Sequence, residues 1–183
     1  QPNRAGYPRP MDVLSAFRVA IHATTPFPVI GRAVVLSVFR LPPPRTIPLE
    51  GDQSAVWEAR STHVVEARGS VAVHTWRVSS PRARVMLVHG WAMNARVWTR
   101  HVLSLRERDI EVLAVDLPAH GASGGHFADG VRFVQALHAV LDDVGPVDAL
   151  VGHSAGAATS AGVLTDSALG PARRVPAVVA LGA

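Results

Sequence analysis

An α/β fold, with a mostly parallel sheet and helices on both of its faces, is the class this sequence predicts, and three observations predict it. Short continuous apolar runs recur at Val85 to Val88, Val112 to Val115, Val147 to Val151 and Val175 to Leu181, the pattern of strands buried on both sides. The segments between them carry helical spacing or helix-compatible composition. The 183 residues, 48% hydrophobic and 17% charged, suit one globular domain with a sizeable core rather than a disordered or coiled-coil chain.

Taken in order, the elements begin with a basic, apolar, helical arm. Residues 1–48 are expected to form this arm and a Pro-rich linker, and residues 49–183 the domain proper. The break is Leu41-Pro42-Pro43-Pro44-Arg45, because consecutive prolines cannot continue a helix and favour an extended chain. Asp52 to Arg60 reads as a short helix, and Thr62 to Ala67 and Val71 to Val78 read as a hairpin around Arg68-Gly69-Ser70. Val97, Trp98, Val102 and Leu105 give a weak helical pattern. Asp129 to Val144 gives a strong one, with Val131, Val134, Leu137, Leu141 and Val144 at three- and four-residue spacing before Gly145-Pro146. Ala155 to Leu169 is a third helix-compatible segment. The order is a hairpin followed by β-α-β-α-β-α-β, which implies a parallel sheet with right-handed crossovers. Ligands of such sheets bind at the carboxyl ends of the strands, so the residues just after each apolar run carry the functional reading.

Composition removes many chemistries. All 18 basic residues are Arg, and Lys and Cys are absent, which excludes Schiff bases, thiol nucleophiles, zinc thiolates, disulfides and a Walker lysine. The pI of about 11.1 overstates a net charge of only +4, since almost nothing titrates between neutrality and the Arg range. Six Arg face one acid, Asp12, in residues 1–49, whereas twelve Arg face thirteen acids in residues 50–183. The near-neutral body lacks a basic stripe, so no nucleic-acid partner is expected. The nine His show no metal-ligand spacing and no dinucleotide fingerprint is present, so neither metal nor cofactor is expected.

No secretory or membrane-spanning segment is found: Val29 to Phe39 contains Arg32 and falls short of the ~20 residues that cross a bilayer. A cytoplasmic chain is expected. Residues 11–40 are read either as a helical segment packed on the body or as an amphipathic arm lying on an anionic membrane surface. Met11, after a decapeptide rich in Pro and Arg, is the expected natural start.

Three strand ends carry the chemistry. After the third apolar run comes Gly152-His153-Ser154-Ala155-Gly156, a G-x-S-x-G match between an expected strand and an expected helix, as a nucleophile elbow requires. Ser154 would occupy a strained turn that lifts its hydroxyl above the sheet, with Gly152 and Gly156 letting strand and helix approach. The other reading of Ser154 is an ordinary helix N-cap. After the first run comes His89-Gly90-Trp91. An oxyanion in this geometry is held by the N–H after the nucleophile and by one from the loop after an earlier strand, which assigns the backbone N–H groups of Ala155 and Trp91. His89 reads as structural. After the second run, Asp116 to Gly124 holds both Asp116 and His120. These offer an alternative catalytic pair, disfavoured because they lie four residues apart in one loop and neither is placed beside Ser154.

Together these blocks resemble the α/β-hydrolase fold family. Val88-His89-Gly90-Trp91, the Asp116 to Gly124 loop (similar to D-x-P-G-H-G-x-S with Ala119 in place of Gly) and Gly152 to Gly156 appear in family order over about residues 60–183. Residues 1–59 resemble N-terminal extensions on some bacterial members. The resemblance implies that Ser154 is the nucleophile of a serine hydrolase acting on a small-molecule ester or other acyl substrate, with Trp91 and Ala155 as the oxyanion hole.

The chain also departs from that family. Its triad order is Ser, then Asp or Glu, then His, yet the 29 residues after Ser154 hold one acid, Asp166, and no His. The chain is therefore expected to be the N-terminal part of such an enzyme, lacking the last strands and any lid, and inactive alone. Acyl transfer on the same fold, or a non-catalytic binding role, are the alternatives. The strand at 175–181, with no neighbour beyond it, is expected to be a bare edge that self-associates.

Overall fold

A computed structural model describes residues 40–42, 47–165 and 175–182. The expected arm and its membrane contact, most of the Pro-rich linker, and Asp166 lie outside the described residues. What is described is one six-stranded sheet with helices on its two faces. The elements run α1 (Gln53–Glu58), β1 (Ser61–Glu66), β2 (Ser70–Trp76), β3 (Ala83–Val88), a 3-10 turn at Ala95–Trp98 that leads into α2 (Thr99–Arg106), β4 (Ile110–Val115), α3 (Gly130–Val144), β5 (Ala149–His153), α4 (Ala155–Thr165) and β6 (Ala177–Leu181).

The sheet order is β1-β2-β4-β3-β5-β6. β4, β3, β5 and β6 are mutually parallel, and the β1–β2 hairpin joins them antiparallel through β2 against β4. The sheet is thus mostly parallel, with the hairpin seated beside the second parallel strand. Strand alternation divides the core: Met86 and Val88 of β3, with Leu113 and Val115 of β4, pack under α3 and α4 through Phe133, Leu137, Val140 and Val163. Val85 and Leu87, with Val112 and Ala114, face the other way onto Trp57, Trp98 and Val102 of α1, the 3-10 turn and α2. Period-two side-chain direction turns one continuous apolar run into two buried faces.

Two expectations need correction. α3 keeps its predicted extent, capped by Asp129, whose carboxylate accepts from the Arg132 N–H, and ended at Gly145 in a left-handed conformation. Its buried face, however, is centred on Phe133, Ala136, Leu137, Val140 and Leu141, and Val131 is 67% exposed. The larger Phe133 ring, and not Val131, fills the space over the strands. Likewise β6 is not buried on both faces: Val179 is 46% exposed, because β6 is an outer strand with β5 alone beside it among the described residues.

At the amino ends of the parallel strands one polar knot sets the register. Arg84 Nε donates to Glu111 (2.8 Å), its Nη1 donates to the carbonyls of Val144 and Pro146, and its backbone N–H donates to the Asp148 carboxylate. β3, β4 and the α3–β5 connection are held together there, so the strands' carboxyl ends converge on one edge.

Candidate active site

Ser154 follows β5 directly and is the one residue of the elbow that is exposed. Its φ is +50°, a left-handed conformation that costs a non-glycine residue roughly 1–2 kcal/mol. The surroundings force it. Its carbonyl accepts from the N–H groups of Ala157 and Ala158 at 3.0 and 3.2 Å, opening α4, while its own N–H donates to the Leu181 carbonyl of β6 at 3.1 Å. The close approach is possible only because of glycine. A Cβ on Gly152 would come within 2.5 Å of the Ala157 nitrogen, and one on Gly156 would collide with the carbonyl oxygen of Val88. The Ser154 hydroxyl makes no hydrogen bond with any described residue, which removes the N-cap reading.

The loop after β3 lies against this elbow. A Cβ on Gly90 would stand 3.3 Å from the Ser154 Cβ and 2.8 Å from His153 Nδ1, so the backbone leading into Trp91 passes beside the serine. Trp91 is held by its ring, edge-on to His120 at 5.5 Å and tilted on Phe133 at 6.1 Å between centroids. The adjoining Ala92 takes φ +55° and donates its N–H to His120 Nε2 at 3.1 Å. Ala155 is the first residue of α4, so its N–H belongs to the turn that has no acceptor inside the helix. Trp91 thus follows the glycine that touches the serine, and Ala155 adjoins the serine in sequence.

Both loop histidines are committed to structure. His89 Nδ1–H donates to its neighbour's carbonyl, Gly90 (2.7 Å), and Nε2 accepts from the Leu117 N–H (3.0 Å), tying the ends of β3 and β4 together. Burial, only partly offset by the Gly90 bond, pushes its pKa down to about 4. His120 donates from Nδ1 to the Pro118 carbonyl and accepts at Nε2, and burial lowers its pKa as well. With both nitrogens engaged, His120 cannot serve Ser154 as a base in this arrangement. The Asp116–His120 pair is overturned on the other side too, because Asp116 binds His74 instead. Its Oδ2 accepts from His74 Nε2–H (3.1 Å) and the Ala122 N–H, and its Oδ1 from the Ala95 N–H. Burial would raise this carboxyl, but the bonds from His74, Ala122 and Ala95 outweigh it and hold the pKa below the ordinary range.

His74 is the residue the sequence reading missed. It sits in the buried strand β2 opposite Ala114 of β4, which carries it to Asp116 two residues on. Its Nδ1 accepts from Arg60 Nε–H at 3.3 Å and lies 2.9 Å from Thr62 Oγ1. A histidine at an inward position of an apolar strand was the available signal, but its partner is 42 residues away and depends on β2 pairing with β4. No histidine makes a hydrogen bond to Ser154 among the described residues, and no group of His, Asp and Glu there could hold a metal ion.

A model of the Alpha/beta hydrolase family matches residues 85–183, more than half of the chain. Among curated proteins, the chain is 48% identical over 63 residues to a pimeloyl-[acyl-carrier protein] methyl ester esterase of Vibrio atlanticus, covering 34% of this chain and 24% of that protein. It is 33% identical over 104 residues to the protein of the same name from Vibrio parahaemolyticus, covering 57% of this chain and 38% of that one. Among solved structures it resembles an epoxide hydrolase of Mycobacterium thermoresistibile, at 26% identity and a TM-score of 0.54 over 66% of this chain and 38% of that one. The chain thus spans about a quarter to two fifths of the length of the proteins it matches.

Proposed function

The chain belongs to the alpha/beta hydrolase family, and on that premise we propose that it carries the nucleophile and oxyanion half of a serine hydrolase for carboxylic esters. One observation carries the reading: an exposed Ser154, its hydroxyl without a hydrogen bond among the described residues, held at φ +50° between glycines that admit no side chain. Strain at a single serine is retained where the surrounding structure over-determines it, and such strain clusters at functional sites. The ester class is supported by the similarity to two proteins named as methyl ester esterases.

In this mechanism Ser154 Oγ attacks the ester carbonyl carbon and passes its proton to a base. The carbonyl oxygen becomes an oxyanion, met by the N–H groups of Trp91 and Ala155. Collapse expels the alcohol, which takes the proton back, and leaves an acyl group on Ser154. Water then attacks the acyl-enzyme, releasing the carboxylic acid and restoring the serine. No histidine is hydrogen-bonded to Ser154 among the described residues, and none of the 29 residues after it is a His. Oxyanion donors and binding alone leave only a small residue of the full catalysis.

The test uses p-nitrophenyl acetate with the full 183-residue chain. Turnover should be negligible in buffer, and added imidazole, acting as an external base, should restore hydrolysis above the imidazole background, with mass spectrometry placing an acetyl group on Ser154. Ser154→Ala should lose both signals. Acetylation at other residues, or rescue that survives Ser154→Ala, would overturn the assignment.

A further inference from the structure

Apart from the elbow, the structure holds a cavity of about 310 Å³ lined by Trp57, Arg60, His74, Asn94, Arg96 and Asp116. Its cationic content is unusual for a body that is nearly neutral. The Arg60 guanidinium lies 3.9 Å from the Trp57 ring centroid and that of Arg96 lies 5.1 Å from it. Both arginines are half-buried, and neither has a carboxylate within ion-pair distance among the described residues. Arg60 spends two N–H groups, on His74 and on the Trp57 carbonyl, and Arg96 spends one side-chain N–H, on the Ile47 carbonyl. Each guanidinium carries five N–H donors, so among the described residues most remain unspent. The one carboxylate in the cavity lining, Asp116, accepts instead from His74, Ala95 and Ala122.

Two half-buried cations over one indole, neither in an ion pair with a carboxylate among the described residues, form an arrangement that an anion would complete. Arg60 shows the cost: burial first, and then the charge of Arg96, lower its pKa against the opposing pull of Glu58 and Asp116. A planar guanidinium fork matches carboxylate and phosphate oxygens, and it binds them most strongly where water is partly excluded. We propose that the cavity walled by Trp57, Arg60 and Arg96 is a binding site for a small oxyanion, a carboxylate or phosphate group, separate from Ser154. The ligand takes N–H donors from the two guanidiniums, with the indole holding both in place. Because Asp116 bonds the Ala95 N–H, and Ala95 adjoins Asn94 and Arg96, an occupied site would also stiffen the loop that carries Trp91.

Thermal unfolding of the full chain tests this, with sodium phosphate and sodium acetate titrated separately against sodium chloride at constant ionic strength. At least one of the two should raise Tm saturably where chloride does not. A response to phosphate alone selects the tetrahedral anion, and one to acetate alone selects the planar one. Arg96→Gln should weaken the apparent affinity about tenfold or more, as the loss of a charge-assisted contact implies, while Arg100→Gln, exposed on α2, should leave it unchanged. Should Arg96→Gln not fold, Arg96→Lys, which keeps the charge but not the fork, read by tryptophan fluorescence on phosphate addition, makes the same comparison. A Tm that responds equally to chloride, or a response indifferent to both Arg96 variants, would overturn the site.

Discussion

Ser154 and His89 show how single residues hold the functional edge at a cost. The left-handed conformation of Ser154 is free for glycine and strained for serine, and part of that gain is returned because glycine is more flexible when unfolded. Ser154→Gly should therefore stabilise the chain by about 0.5–1 kcal/mol, read as a higher urea midpoint at unchanged slope. A loss of stability would mean that the hydroxyl supports the fold. His89 makes the opposite demand on pH. Unfolded histidine titrates near 6.5, whereas folded His89 titrates at about 4, so between those values the unfolded chain binds more protons. Stability should fall as pH drops through that window, by roughly 3 kcal/mol when complete, and His120, lowered in the same direction, adds to it. Urea midpoints at pH 7, 5.5 and 4.5 measure the slope, and in His89→Gln it should be shallower. Equal slopes would remove His89 as its source.

At the scale of elements, glycine spacing rather than helix propensity decides the elbow. Alanine is the better helix former by about 1 kcal/mol, yet in Gly156→Ala the new methyl meets the Val88 and His89 carbonyls across the β3–α4 contact. Net destabilisation of about 1–3 kcal/mol is expected. Gly130→Ala, at the first position of α3 with nothing within 4 Å, should instead stabilise by about 0.5 kcal/mol. If both substitutions moved stability the same way, the close packing at Gly156 would be refuted. The contrast also marks how far the sequence could be read. Local signals suffice for the elements: apolar runs for β3 to β5, Gly145 for the end of α3, and G-x-S-x-G between strand and helix for the elbow. Long-range pairing was hidden. Nothing near His74 in sequence tells that β2 lies beside β4, and so nothing tells that Asp116 bonds His74 rather than His120. The phase of α3 was hidden for a related reason, because Val131 and Phe133 both fit helical spacing and the shape of the strands beneath decides between them.

At the scale of the whole molecule, the two edges of the sheet that the described residues form are guarded unequally. β1 presents Ser61, Thr62, His63 and Glu66 along its length, and His63 pairs with Asp143 of α3 at 3.0 Å, so polar side chains and a bridge to a helix discourage further pairing. β6 presents Ala177-Val178-Val179-Ala180-Leu181, with neither charge nor proline, and Val179 is nearly half exposed. Unpaired backbone groups on such a strand form a template for another chain, and apolar, β-branched side chains strengthen the match. The 183-residue chain should therefore self-associate through β6 as concentration rises, which light scattering reads directly. Val179→Lys places a charge on the open face of that strand and should shift the population toward monomer without moving the unfolding midpoint of the dilute chain. Association undiminished by Val179→Lys would put the interface elsewhere, and a wild-type monomer at high concentration would mean that the edge is already covered.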